Sequence, residues 1–287
     1  MEITSFGYGT DIGASRDRNE DSFCVMPDIG LWVIADGLGG YKSGKTASQM
    51  TVEKLADNIR KGIPLAESIS NIHLEILAAA DSDPEKWRMG STAVAIKTNN
   101  WHYEIAWVGD SRAYLWNGND LKQLTRDHSY VQDLLNEGMI NEKDVIGHPQ
   151  RHAITQALGA EGLEKVDVDV IYGIFHKNEK ILLCSDGLSG EVDNVQIASI
   201  LSCEDSPQAA VDRLIDLANI NGGSDNITAI LISAPEDTKI KIIGENTEPA
   251  KTETLRIYHT TNFYPLMQWI VILLLSLMII VLMVNVL

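Results

Sequence analysis

Short apolar runs broken by Gly, Asn and Asp recur through the first 234 residues, and their spacing restricts the fold more than any other feature. Leu31 to Ala35, Ser91 to Ile96, Tyr103 to Val108, Ala113 to Trp116, Val166 to Ile171, Ile181 to Cys184 and Ile227 to Ile232 have the length and composition of strands. Asn99-Asn100 and Asn117-Gly118-Asn119 fall where tight turns are needed between such runs. Helical periodicity is confined to Ser43 to Arg60, Leu65 to Ala80, Val195 to Leu201 and Pro207 to Asn219. Hairpin spacing with helices in separate blocks predicts an α+β body, mainly antiparallel sheets with helices packed outside, and not a doubly wound parallel sheet.

One insert interrupts this pattern. Asp127 to Thr155 is more polar, with a short helix expected over Ser129 to Gly138 and a loop at Gly147-His148-Pro149. An insert of this kind beside a site is a candidate flap, about 127–155.

The two ends of the chain differ sharply. The N-terminus, Met-Glu-Ile-Thr-Ser-Phe-Gly, has neither a basic segment nor an apolar one, so no cleaved signal peptide is expected. Residues 235–265 turn polar and read as a linker, with a root-mean-square reach of roughly 30 Å if flexible. Lys239 to Ile243 is a candidate extra strand within it, which would shorten that reach. Leu266 to Leu287 carries no charge, and at about 1.5 Å per residue it would span about 33 Å, enough for a bilayer core. Tyr258, Tyr264 and Trp269 stand where an interfacial belt belongs. Lys251 and Arg256 precede the run and no basic residue follows it, which places the body, residues 1–234, on the cytoplasmic side of a single-pass membrane anchor.

Composition excludes some functions. A formal charge of -17 would repel a phosphate backbone, so no nucleic-acid partner is expected. Three scattered cysteines, Cys24, Cys184 and Cys203, make neither a disulfide framework nor a structural zinc site. The residues six positions after them are Gly30, Gly190 and Ala209, so none has the Arg that a cysteine-dependent phosphatase needs.

The acidic residues fall in a pattern. Asp36-Gly37, Asp110 and Asp186-Gly187 each end an apolar run, and Asp225-Asn226 opens another. A single aspartate there is ordinarily a turn residue. Several gathered on one rim, with Asn19-Glu20-Asp21, would repel one another unless cations lay between them. Hard oxygen donors with few histidines point to Mg²⁺ or Mn²⁺, and two such ions can activate a water for displacement at phosphorus. Gly37 would let a backbone carbonyl approach a metal. Arg16 and Arg18 are rival phosphate binders by local sequence.

The strings TDIGASRDRNED, VIADGLGGYKSGKTAS, MGSTAVA, VGDSRAYL, LTRDHSYV, HPQRHAITQALG, LLCSDGLSG and SDNITAILI occur in that order. Together they resemble the metal-dependent serine/threonine protein phosphatase 2C family, and its bacterial branch in particular. The resemblance implies a four-layer α-β-β-α sandwich with the metal site at one edge, and hydrolysis of phosphoserine or phosphothreonine in proteins by direct attack of a metal-bridging hydroxide. It assigns Asp36 as the bridging metal ligand with Gly37 lending its carbonyl, and Asp186 and Asp225 as completing the other metal. Glu20 and Asp21 would ligate or hold metal-bound waters. Asp110 with Asp186 would form a third, weaker metal position. Arg16 would bind the substrate phosphate, Asn226 would orient Asp225, and the 127–155 insert matches the family flap. Phosphoproteins, and a eukaryotic-like serine/threonine kinase with its targets, are the partners implied. The alternative is an inactive pseudophosphatase that binds phosphoproteins at the membrane. Leu38 stands where bacterial members usually have Met and animal relatives a His, so the proton donor is unassigned, with His148 and His152 of the flap within the same segment.

Overall fold

The structure, a computed structural model, describes residues 5–39, 43–83, 87–145 and 147–234, together with the backbone of 257–258. The chain runs β1 (Phe6–Asp11), β2 (Ser22–Met26), β3 (Leu31–Ala35), β4 (Gly37–Leu38), α1 (Ser43–Arg60), α2 (Leu65–Ser82), β5 (Gly90–Ser91), β6 (Ala93–Asn99), β7 (His102–Val108), β8 (Arg112–Trp116) and β9 (Leu121–Gln123). It continues through α3 (Tyr130–Asn136), α4 (Glu142–Val145), β10 (Asp169–Ile174), β11 (Lys180–Cys184), α5 (Asp186–Ser189), α6 (Asn194–Cys203), α7 (Pro207–Asn221), β12 (Ile227–Ser233) and β13 (Ile257–Tyr258). Two antiparallel sheets carry the body. One has the order β1-β12-β11-β8-β9 and the other β13-β10-β7-β6-β3-β2.

Three apolar cores make the layers. Trp32, Ile34, Val94, Ile105, Trp107, Leu183 and Ile230 fill the space between the sheets. On the outer face of the six-stranded sheet, Leu55 of α1 and Ile69, Ile72 and Ile76 of α2 pack on Leu31, Val33 and Ala95. On the outer face of the five-stranded sheet, Val211 and Leu214 of α7 and Ile197 of α6 pack on Leu182 and Leu231. The alternation of strand residues between two apolar faces follows from a sheet covered on both sides. Full burial of one such side chain is worth about 1.5–3 kcal/mol relative to leaving it exposed.

Turn and cap chemistry sets the boundaries. Asn100 adopts a positive φ of 56° in the β6–β7 hairpin and Gly118 one of 93° before β9, at the two turns expected. Ser129 caps α3 by accepting from the Gln132 N–H, and Gly138 at φ 69° ends that turn. Asp193 and Gln196 close a reciprocal capping box on α6.

Some expectations needed adjustment. The run Ser91 to Ile96 is broken at Thr92, whose N–H leaves the ladder and donates to the Asp36 carbonyl at 2.8 Å. The strand expected over Val166 to Ile171 begins at Asp169, where pairing with Trp107 near the end of β7 starts; Val166 and Val168 enter the same helix-side core as Val170 without joining the ladder. β1 and β2 were not foreseen, since Gly7, Gly9 and Ser22 dilute their apolar character. Among the described residues no helix is long and apolar enough to cross a membrane, and Leu266 to Leu287 lies outside them, as does Lys239 to Ile243.

Leu55 is fully buried between the helix pair and the six-stranded sheet. Leu55→Ala is therefore expected to lower stability by about 2–5 kcal/mol through lost contacts and the cavity left behind. Urea denaturation followed by circular dichroism measures it, and a loss below about 1 kcal/mol would show that α1 does not depend on that contact.

Candidate active site

The strand ends bring residues far apart in sequence to one end of the sandwich. Asp36 follows β3, Asp110 lies in the turn between β7 and β8, Asp186 opens the short helix after β11, and Asp225 precedes β12. These four line a cleft of about 900 Å³ with Glu20, Gly37, Arg16, Arg18 and Asn226, and with Arg151, His152 and Ile154 of the 127–155 insert. Asp21 does not line this cleft. Its side chain turns behind the rim, where Oδ2 accepts from Thr228 Oγ1 at 2.6 Å and Ser185 Oγ at 2.8 Å, and Oδ1 is buried with no partner.

Neutral side chains hold the acidic ones in place. Thr92 brackets the Asp36 backbone, donating its N–H to the Asp36 carbonyl and accepting the Asp36 N–H on Oγ1 at 3.0 Å. The same hydroxyl meets Ser111 Oγ at 2.8 Å, beside Asp110. Asn226 does more than orient its neighbour. Its N–H donates to Asp225 Oδ1, its Oδ1 accepts the Glu20 N–H, and its Nδ2 donates to the carbonyls of Ile12 and Arg18, so one amide fastens the loop that carries Arg16. The Arg112 guanidinium takes both Asp127 carboxylate oxygens, tying β8 to the start of the 127–155 insert. These holding roles were not read from the sequence, because Thr, Asn and Ser look the same in any turn; the Asn of Ser-Asp-Asn was the one signal.

Close backbone approach explains two glycines. A Cβ on Gly44, at the start of α1, would strike the Glu20 carboxylate, and one on Gly37 would strike the Gly44 and Glu20 carbonyls. The Glu20 side chain thus lies against the N-terminal turn of α1, where the helix dipole favours a negative charge.

The electrostatics are dominated by crowding. Burial pushes Asp36 well above the carboxylate range, and the charges of Asp21, Asp186 and Asp110 push it further. Burial pushes Asp110 up to about 8, with Asp186 and Asp127 adding repulsion. Burial pushes Asp21 up to about 7 against the opposing hydrogen bonds from Thr228 and Ser185. Asp186 is raised by burial and by Asp225, and its carboxyl is in hydrogen-bonding contact with that of Asp36, while its other oxygen, Oδ1, has no partner. Two carboxyl groups in contact must share a proton or a cation. Among the described residues no three carboxylate, imidazole or thiol groups close on one point as a cage for an ion. The acidic groups are spread along an oxygen-only rim instead, which fits hard divalent cations that keep several waters and take one or two carboxylates each. Arg16 lies at the mouth, half-exposed, its Nη2 paired with Asp225 Oδ2 at 2.5 Å. His152 Nδ1 stands 4.0 Å from Asp186 Oδ2, whereas His148 is not among the lining residues.

A family model, protein phosphatase 2C, matches residues 16–133. A serine/threonine phosphatase of Listeria welshimeri is 37% identical over 238 residues, which cover 78% of this chain and 94% of that protein. The chain belongs to the protein phosphatase 2C family. As a serine/threonine phosphatase of that family it also matches solved structures. The Mycobacterium tuberculosis serine/threonine phosphatase PstP/Ppp aligns with a TM-score of 0.72 and 31% identity, covering 80% of this chain and 98% of that one. The catalytic domain of PstP in complex with two manganese ions aligns with a TM-score of 0.69 and 29% identity, covering 81% and 99%.

The raised carboxyl groups give the metal-free phosphatase a defined pH response. Asp21 and Asp110 have folded values near 7 and 8 against about 4 when unfolded, so between those limits the native state holds more protons than the unfolded one. Stability in EDTA is then highest near pH 4 as far as these groups contribute, and it falls as pH rises through 7 to 8. Added Mn²⁺ should raise the melting temperature far more at pH 8 than at pH 5. Scanning calorimetry with and without the metal checks this, and a metal effect of equal size at both pH values would mean that the cluster is not what binds it.

Proposed function

We propose that this phosphatase hydrolyses phosphoserine and phosphothreonine in proteins by one in-line displacement at phosphorus, with water as the nucleophile and no phosphoenzyme. One observation carries the reading: Asp36, Asp110, Asp186, Asp225 and Glu20 converge with Arg16 on a single cleft. Asp36 and the Gly37 carbonyl, with Glu20, Asp186 and Asp225, would hold two divalent cations, Mn²⁺ or Mg²⁺, and Asp110 with Asp186 a third. Cations there supply positive charge to a water and to the phosphoryl oxygens. Manganese is the ion found in the related PstP catalytic domain, which supports that choice. A binding module without turnover would be favoured by a lost acidic ligand, and every one expected is present.

The chain's own groups do the rest. Arg16, paired with Asp225 at the mouth, exchanges that partner for the substrate phosphate, whose outer oxygens match its planar fork. An exposed pair of this kind is weak enough to be exchanged readily. Asn226 keeps the Arg16 loop and Asp225 in register during that exchange. His152 is the flap histidine that lines the cleft, and it is placed to deliver a proton to the departing serine or threonine oxygen.

The reading extends to the remaining chain. Residues 1–234 form the catalytic domain, 235–265 a linker and 266–287 a membrane helix that keeps the domain at the cytoplasmic face, where a serine/threonine kinase and its targets are partners. The uncharged run and the basic residues before it support this part.

Asp36→Asn should reduce phosphate release from a phosphothreonine peptide by at least ~10³-fold in kcat while leaving the circular dichroism spectrum unchanged. Near-normal turnover would remove Asp36 from the centre of the site. His152→Gln should slow the phosphothreonine peptide by roughly 10²-fold and leave an aryl phosphate, whose leaving group needs no proton, nearly unaffected. Equal losses on both substrates would assign His152 to binding instead.

A further inference from the structure

A second concavity, of about 510 Å³, lies between the outer edge of β2 and one face of α1. β2 is the last strand of the six-stranded sheet, and among the described residues no strand pairs with its outer side. Cys24 and Met26 of β2 and Val52 and Ala56 of α1 give the groove an apolar floor, and Gln49 and Glu53 form its exposed rim. At the cleft end Lys45 Nζ donates to the Asp21 carbonyl at 2.5 Å and to Ser22 Oγ at 3.1 Å. The neighbouring edge, β1, is closed differently. The Gln208 carboxamide accepts the Tyr8 N–H and donates to the Tyr8 carbonyl, occupying the positions a further strand would use. An open strand edge beside a helix is a template for a further strand.

The end of the described body lies within reach of this groove. Ala234 follows β12, donates its N–H to the Glu179 carbonyl and packs in the same core as Phe6, Trp101 and Phe175. That is the end of the sandwich opposite the cleft. The β2–β3 hairpin turns at the same end, since Gly30 accepts from the Thr98 N–H beside the Asn99–His102 hairpin. Four residues, Pro235 to Thr238, separate Ala234 from Lys239-Ile-Lys-Ile-Ile243. Extended, they span up to about 17 Å, comparable with the two or three strand spacings and one sheet gap to be crossed.

We propose that Lys239 to Ile243 docks in this groove as an additional strand, antiparallel to β2. A segment leaving the far end must run back toward the cleft, opposite to β2, so the antiparallel sense follows from the topology. Pairing Lys239 with Met26 sets Lys241 opposite Cys24 and Ile243 opposite Ser22. Cys24 and Met26 face the helix side, and Phe23 and Val25 face the core between the sheets. The alternation then turns Lys239 and Lys241 toward α1, where their stems cover Val52 and Ala56 and their charges meet Glu53. It turns Ile240 and Ile242 toward Phe23 and the exposed ring of Tyr8, whose centroids lie 5.4 Å apart in a tilted pair on the open flank of the sandwich. Asp28, exposed in the β2–β3 turn, adds negative charge at the entrance. Further on, Ile257 and Tyr258 pair with Ile171 and Val170 at the opposite edge of the same sheet, so this part of the chain already uses one of its edges.

The test uses the full chain in detergent micelles with Cys203→Ser, which leaves Cys24 and the core thiol Cys184. Single cysteines are placed at positions 239 to 243 in turn, and the chain is mildly oxidised and mapped by peptide mass. Docking gives an intrachain link to Cys24 at 241 above all, weaker links at 239 and 243, and none at 240 or 242. No link, links without this parity, or links between two chains overturn it. In a second arm, Ile240→Asp with Ile242→Asp should speed amide exchange in β2 at least tenfold and leave β6 and β7 unchanged. Unaltered exchange in β2 also overturns the proposal.

Discussion

Two carboxyl groups in contact, Asp36 and Asp186, set the terms for the whole cleft end of the molecule. Each comes from a different sheet, so their approach is imposed by the sandwich and not by local sequence. Such a contact is repulsive when both groups are ionised. It persists because the backbones on either side are fastened independently of the charges. Thr92 fixes Asp36 from β5 and β6, and the Ser185 hydroxyl, next to Asp186, is held by Asp21 Oδ2 and by the Thr228 N–H. Hydrophobic packing between the sheets supplies the rigidity, and the polar clamps determine where the charges stand.

The same logic accounts for Asp21, which resembles a ligand in sequence but is anchored from behind. With one oxygen bonded to hydroxyls of β12 and the β11–α5 turn and the other without a partner, it contributes negative potential to Asp36 more than a surface to the cleft. Lys45 meanwhile bonds the backbone carbonyl of Asp21 and leaves that carboxylate uncompensated. The cleft is therefore negative by construction from two layers. At its mouth the half-exposed Arg16 pairs with Asp225, placed where an incoming anion can take it over.

How much of this was legible in the sequence depended on whether a residue's type alone narrows its role. The aspartates at strand ends were readable, because four of them beside Gly or Asn exceed what turns require. The sandwich was readable from hairpin spacing and from two blocks of helical periodicity. β1 was not, because its glycines are there to let α7 approach: a Cβ on Gly7 would strike the backbone of Pro207 and Gln208. The break at Thr92 was equally hidden, since a threonine that bonds Asp36 looks in sequence like any strand residue. The resemblance gives Asn226 one neighbour to steady, whereas it also joins Ile12, Arg18 and Glu20 across more than 200 positions, a relation that no local window contains.

The two ends of the sandwich have opposite requirements. At the cleft end the strands must stop in short polar turns, so that charged groups share a rim, and the backbones of Asp36, Glu20, Ile12 and Arg18 are held there by Thr92 and Asn226. At the far end β12 delivers the chain to a surface without such constraints. The seven-residue strand β12, about 23 Å long, lies between Asp225 and Ala234. Whatever follows Ala234 therefore starts on the side away from the chemistry, and a segment can return toward the cleft only along the flanks of the sheets. Of the two flanks beside β12, one is closed by Gln208 and the other is lined by Cys24, Met26 and α1. Of these two, only the β2 edge offers unpaired backbone among the described residues to a segment returning from Ala234 toward the cleft.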